Sequence, residues 1–333
     1  EKKKKKKTTE SALGVKPVTG SWINLAYKDV RNKYTNPQSF DNMDPKLWEA
    51  KVRELSAMGI EYLVLMEVAN EGKSYYPSQI MPWWYNKDKK SPVDAILDEA
   101  AKHNMKIFMS SGWAKDQDDN LLDPAIKERQ LRIMEELASL YKNHKAFYGW
   151  YLPVEDCLCP IFAEHAVQSV NTLSEKAKKL APGKKTLISP YGIGLSEFDN
   201  PEYEKQMQKL KVDIIAYQDE VGCVRDQFTL PRLKKNWQRL RDIHNRLNIE
   251  MWANCETFTW EEGTNDRTSA LIPAAYCPSR LQHLRRGLIR SFHLCSTVLL
   301  RILSQSISWD NLSGRTKCML TIWTGRTERN IGN

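Results

Sequence analysis

The strongest constraint on this chain is an alternation. From Gly20 onward, apolar runs of strand length take turns with longer amphipathic stretches. Short apolar runs suit strands covered on both faces, and amphipathic stretches between them suit crossover helices. The runs are Ser21 to Tyr27, Tyr62 to Val68, Lys106 to Ser110, Phe147 to Leu152, Thr186 to Ser189, Val212 to Tyr217 and Ile249 to Asn254, seven in all. Helices are expected from about Pro45 to Met58, Pro92 to His103, Asp123-Pro124 to Lys142, Phe162 to Ala181, from Glu202 onward, and Leu230 to Leu247. Asp123-Pro124 reads as a cap followed by a first-turn proline, and Gly59 as a helix stop. Order and count predict an α/β fold, a (β/α)8 TIM barrel, and 333 residues hold one such domain without a second.

Position eight has no run of its own in this reading. From Cys277 Arg replaces Lys, acids fall to Asp310 and Glu328, and Ser and Cys multiply. The genetic code offers a reason. Trp has a single codon, so joining the third base of each codon to the first two of the next turns Trp309-Asp310 into a glycine codon and Trp323-Thr324 into an aspartate codon. The codons permitted across Gln282 to Val298 then allow a helix end followed by an apolar strand. The expected organisation is a disordered Lys-rich leader over 1–16, the barrel over 17–276, and a frameshifted tail over 277–333 in which the eighth strand is lost or altered.

The net charge of +9 suggests nucleic acid until its distribution is read. Lys2 to Lys7 stand against Glu1 alone, and eight Arg and one Lys of the tail against two acids, which leaves residues 8–276 at −3. A mildly acidic barrel with basic ends argues for no nucleic-acid partner. No stretch reaches the length and apolarity of a membrane span. The seven Cys include one close pair, Cys157 and Cys159, without a second pair or a His cluster, so neither a metal nor any other cofactor is expected. His103, His144, His165 and His244 are expected at the surface.

Barrels of this class place their chemistry at the C-terminal ends of the strands. Two acids stand out there. Glu155 follows strand four through Pro153-Val154, and Glu256 ends strand seven after Asn254-Cys255. Trp22, Asn24, Glu67, Trp113, Tyr191, Gln218, Asp219 and Trp260 lie at or just past other strand ends and are candidate substrate-binding groups. For the acids among them a structural hydrogen bond is the commoner fate, and for the Trp residues core packing. Trp83-Trp84, after Tyr75-Tyr76, is harder to bury and suggests a wall facing a ligand.

The strings GSWINLAY, GWYLPVED, VDIIAYQDEVG and MWANCETFTWE, taken in order, resemble a family of bacterial exported proteins, a domain of unknown function grouped with TIM-barrel glycoside hydrolases. The resemblance covers about Pro17 to Tyr276. It implies a carbohydrate substrate, an exported location, and a membrane tether through a lipid anchor outside the visible chain. Hydrolysis of a glycosidic bond uses two carboxyl groups flanking that bond. Likeness to glycosidases whose acid/base ends strand four and whose nucleophile ends strand seven implies those roles, in a retaining mechanism, for Glu155 and Glu256. This chain has Val154 before Glu155 where that superfamily usually has Asn. The rival readings are a carbohydrate-binding barrel without turnover and a non-functional frameshifted product.

Overall fold

The computed structural model describes residues 18–25, 44–112, 121–220, 224, 229–256, 258–260, 271–273 and 317–321. Eight parallel strands close a barrel: β1 (Val18–Ile23), β2 (Tyr62–Leu65), β3 (Lys106–Ser110), β4 (Phe147–Tyr151), β5 (Lys185–Ile188), β6 (Ile214–Gln218), β7 (Glu250–Glu256) and β8 (Lys317–Thr321). Around it lie α1 (Pro45–Ala57), α2 (Pro92–Lys102), α3 (Pro124–Tyr141), α4 (Glu164–Leu180), α5 (Pro201–Lys209) and α6 (Leu230–Arg246). Two short antiparallel hairpins sit in the loops, Ala69–Asn70 with Lys73–Ser74 and Phe258–Trp260 with Leu271–Pro273.

The helices start where the sequence tells them to. Asp44, Ser91, Asp123 and Asn200 each accept a backbone N–H of the first turn, and each is followed by Pro at the first helical position. The side chain satisfies an orphan donor, and Pro needs none. Thr229 caps α6 in the same way, with its proline one residue later, whereas Ala163 leaves α4 without a side-chain cap.

One expectation is overturned. Position eight is not missing: Lys317–Thr321 lies parallel to β7 on one side and β1 on the other, with Cys318 opposite Ala253 and Val18. A parallel barrel needs both edges paired, and Cys318-Met319-Leu320-Thr321 is the apolar run within the tail that satisfies them. Gln282 to Val298, where a shifted frame would put the strand, lies outside the described residues, as do the leader and most of the tail.

Alternation along the strands separates two cores. Trp22, Tyr62, Val64, Phe108, Tyr151, Leu187, Ile214, Ala216 and Trp252 fill the barrel, while Leu63, Leu65, Ile107, Trp150 and Ile215 belong to the larger cluster between barrel and helices. Gly149 makes the interior fit, since a Cβ there would stand 2.5 Å from the Lys185 carbonyl oxygen and 2.7 Å from the Phe108 ring.

Candidate active site

The inward face changes character as the strands rise. Above the buried Trp22, Phe108, Leu187, Ala216 and Trp252, the next inward positions are Asn24, Ser110, Ser189, Gln218 and Asn254. An apolar plug thus carries a polar ring at the C-terminal mouth, where the period of two repeats the same face every second residue. Glu256 is two residues beyond Asn254 on that face, 5 % exposed.

Hydrogen bonds tie this ring across three strands. Asn254 Nδ2 donates to Ser189 Oγ at 3.0 Å, and Gln218 Nε2 to the Ser189 carbonyl at 2.8 Å. The Asp219 N–H donates to the Asn254 carbonyl at 3.0 Å, and the Glu256 N–H to Asp219 Oδ1 at 3.0 Å. Asp219, fully buried, therefore fixes the backbone that carries Glu256. Glu220 has positive φ and is nearly buried, and its Oε2 accepts the Gly192 N–H at 2.8 Å. Burial raises the pKa of Glu220 against the opposing pull of backbone N–H groups from Gly192, Ile193 and Gly194. This carboxylate pins the loop after β5 to the loop after β6.

On the β4 side, Tyr151 Oη donates to Glu155 Oε1 at 3.0 Å. Tyr151 is buried within the barrel, edge-on to Trp22 at 6.2 Å between ring centres. Glu155 is accessible to solvent, yet protein surrounds its carboxyl closely enough that burial raises its pKa, a rise that the Tyr151 hydrogen bond only partly opposes. The loop that holds Glu155 is braced. Tyr191 accepts the Leu158 N–H at 2.8 Å and donates its own to the Asp156 carbonyl at 3.2 Å, His165 meets Asp156 Oδ2 at 2.8 Å, and a disulfide joins Cys157 to Cys159. Gly192, with φ near +90°, lies so close beneath that a Cβ would stand 2.7 Å from Cys157 Sγ.

The remaining sequence candidates fall in three groups. Asn24 and Gln218 are half-buried on the inward face at their strand ends, and Tyr191 is 37 % exposed in the loop after β5. Trp22, Glu67 and Asp219 are buried, while Trp260 is half-buried in the Phe258–Trp260 hairpin. Trp113 lies outside the described residues. The Trp83-Trp84 wall is taken up by its own loop: Trp84 stacks on Tyr75, Trp83 stacks on Tyr85, and Trp83 Nε1 donates to the Ser78 carbonyl at 2.8 Å. His244 is a correction too, since it is buried rather than at the surface. Sequence reasoning missed Tyr151, Ser189 and Asn254, all strand residues whose inward parity was the available signal, and the Cys157–Cys159 disulfide.

Solved structures share the fold. A protein of Bacteroides thetaiotaomicron VPI-5482, provisionally assigned as an alpha-L-fucosidase, superposes with a TM-score of 0.61 at 17% identity over 91% of this chain and 85% of its own. A beta-galactosidase of Halorubrum lacusprofundi gives 0.52 at 11% identity over 92% of this chain and 52% of its own. A GH10 protein of Paenibacillus barcinonensis gives 0.50 at 12% over 93% and 84%. No curated protein sequence matches the chain. The family named from the four sequence strings is nevertheless the right one: the model of the Domain of unknown function (DUF4434) matches residues 18–285, and the chain belongs to that family.

Proposed function

We propose that this chain is a glycoside hydrolase in which Glu155 is the general acid/base and Glu256 the nucleophile of a retaining mechanism, on a glycan still to be identified. The observation that carries the reading is Glu155. It is a solvent-exposed carboxyl hydrogen-bonded by the barrel's Tyr151, with a pKa raised by its surroundings, just past the end of the fourth of eight barrel strands. A carboxyl that holds its proton towards neutral pH is suited to protonating a leaving oxygen. Glu256, backbone-anchored through Asp219 at the end of the seventh strand, is the second carboxylate of the reading. Asn24, Gln218 and Tyr191 supply polar and aromatic contacts for sugar hydroxyls and ring faces, and Trp113 and Trp260 further subsites. Similarity in fold to a provisionally assigned alpha-L-fucosidase and a beta-galactosidase supports the substrate class. The Cys157–Cys159 disulfide supports an exported location, since disulfides persist in oxidising compartments.

The test is a panel of aryl glycosides and natural glycans offered to the protein, to Glu155→Gln and to Glu256→Gln. Each substitution is expected to lower kcat by about 10²–10⁴-fold or more, and the first-formed anomer, followed by proton NMR, is expected to retain the substrate configuration. If all three proteins behave alike on every substrate, the hydrolase reading fails. First-formed product of inverted configuration sinks the nucleophile role of Glu256 alone.

A further inference from the structure

At the opposite end of the barrel from the candidate site lies a cavity of about 350 Å³, walled by the chain leaving α2, the first residues of β3 and β4, and the turn before β5. Three lysines line it: Lys106, Lys145 and Lys184, with Phe147 and Tyr148 beside them. No acid is among its lining residues. Lys106 and Lys184 are half-buried and Lys145 is exposed. Lys106 Nζ donates to Tyr62 Oη at 3.0 Å and lies over the Tyr62 and Tyr148 rings, at 4.8 and 5.2 Å from their centres. Lys184 Nζ donates to the Phe147 carbonyl and lies 5.0 Å from the centre of the Phe147 ring.

These neutral contacts hold the two ammonium groups in place without cancelling their charge. Among the described residues none of the three lysines forms an ion pair, whereas Lys178, Lys185 and Lys211 nearby on the same end are each paired with an acid. Glu61 and Glu250 act on this end of the barrel, the first near Lys106 and the second on Lys185, but neither lines the cavity. Burial without a counter-ion pushes the Lys184 pKa down. A charged group taken out of water is stabilised by an opposite charge that enters with it.

We infer that this floor cavity is a binding site for a small soluble oxyanion of the phosphate or phosphate-ester class, held by Lys184, Lys106 and Lys145. The two fixed ammonium groups present donors to oxygen, the exposed Lys145 adds a third ammonium group, and the ring of Tyr148 gives an apolar wall to the organic part of an ester. A concavity of this size admits a small molecule and not the plane of a bilayer.

Inorganic phosphate titrated into the full chain by calorimetry at fixed ionic strength tests it. Saturable binding at one site is expected, weakened about tenfold or more in Lys184→Met and in Lys145→Met, as loss of one charge-assisted hydrogen bond implies. Lys145 is exposed, so its variant keeps the fold even if Lys184→Met does not. Absence of saturable binding overturns the inference, and so does binding that neither variant changes. Binding to vesicles of anionic phospholipid with none to phosphate overturns it in favour of a membrane surface.

Discussion

Glu155 and Tyr151 make the most informative pair in the molecule. The phenol stabilises the charged carboxylate, so it holds the Glu155 pKa below where burial alone would put it. Tyr151→Phe removes that donor, and the Glu155 pKa should rise further. With Glu155 as the proposed acid, which acts protonated, the alkaline limb of the pH–rate profile then moves to higher pH, by about one unit if the hydrogen bond is worth 1.4 kcal/mol or so. A profile that keeps its alkaline limb in place would detach Tyr151 from Glu155. His244 gives a second residue-scale test, on stability. Its Nδ1 faces the Ile249 carbonyl at 2.9 Å, which can only accept, so Nδ1 carries the proton and Nε2 accepts from Tyr217 Oη at 2.7 Å. Burial lowers its pKa to about 4 from an ordinary 6.5. The unfolded chain binds this proton first, so stability is full above pH 6.5 and is lost as pH falls towards 4. The loss amounts to about 3 kcal/mol. Urea denaturation across that window should show the loss in the natural protein and not in His244→Gln.

At the scale of elements, what the sequence made legible and what it hid follow from where the signal is local. Cap-and-proline pairs are local, so five helix starts fall within a residue of expectation, and α4, which lacks a side-chain cap, starts two residues later than expected. Strand β3 runs Lys106 to Ser110 as its apolar run suggested. Strand β8 was hidden because its five residues sit in a basic, Ser-rich tail whose composition drew attention away from a short apolar run. The polar ring of Ser189, Gln218 and Asn254 is a product of register between strands, and a single strand's sequence does not state its neighbours. Glu155 and Glu256 could be picked out as candidates because strand ends are legible, and the proposed pairing rests on that position. The Gly149 contacts carry an element-scale prediction: Gly149→Ala must push the Lys185 carbonyl and the Phe108 ring apart, and overpacking of this kind costs about 1–3 kcal/mol. Thermal melting of the variant checks it, and an unshifted midpoint would mean that β4 and β5 slide apart freely.

The whole molecule depends on closure. With β8 in place every barrel strand has two neighbours, and the interior holds the buried Trp22 and Trp252, with Trp150 buried between barrel and helices. A chain ending at residue 316 would leave β1 and β7 each with an unpaired edge and open Trp22 and Trp252 to water. Such a chain is expected in the insoluble fraction or in soluble aggregates by size-exclusion chromatography. A monodisperse product with unchanged near-ultraviolet circular dichroism would show that seven strands suffice.

The pairing of Val18 with Cys318 also sets a clock. These partners are 300 residues apart in sequence, the first strand waiting on the last. At ordinary synthesis rates about 15–60 s pass between their appearances, far longer than a small domain needs to fold. Once Tyr62–Leu65 has been made, β1 has β2 on one side and nothing on the other until the last strand arrives, so the nascent barrel must be guarded in time as well as in space.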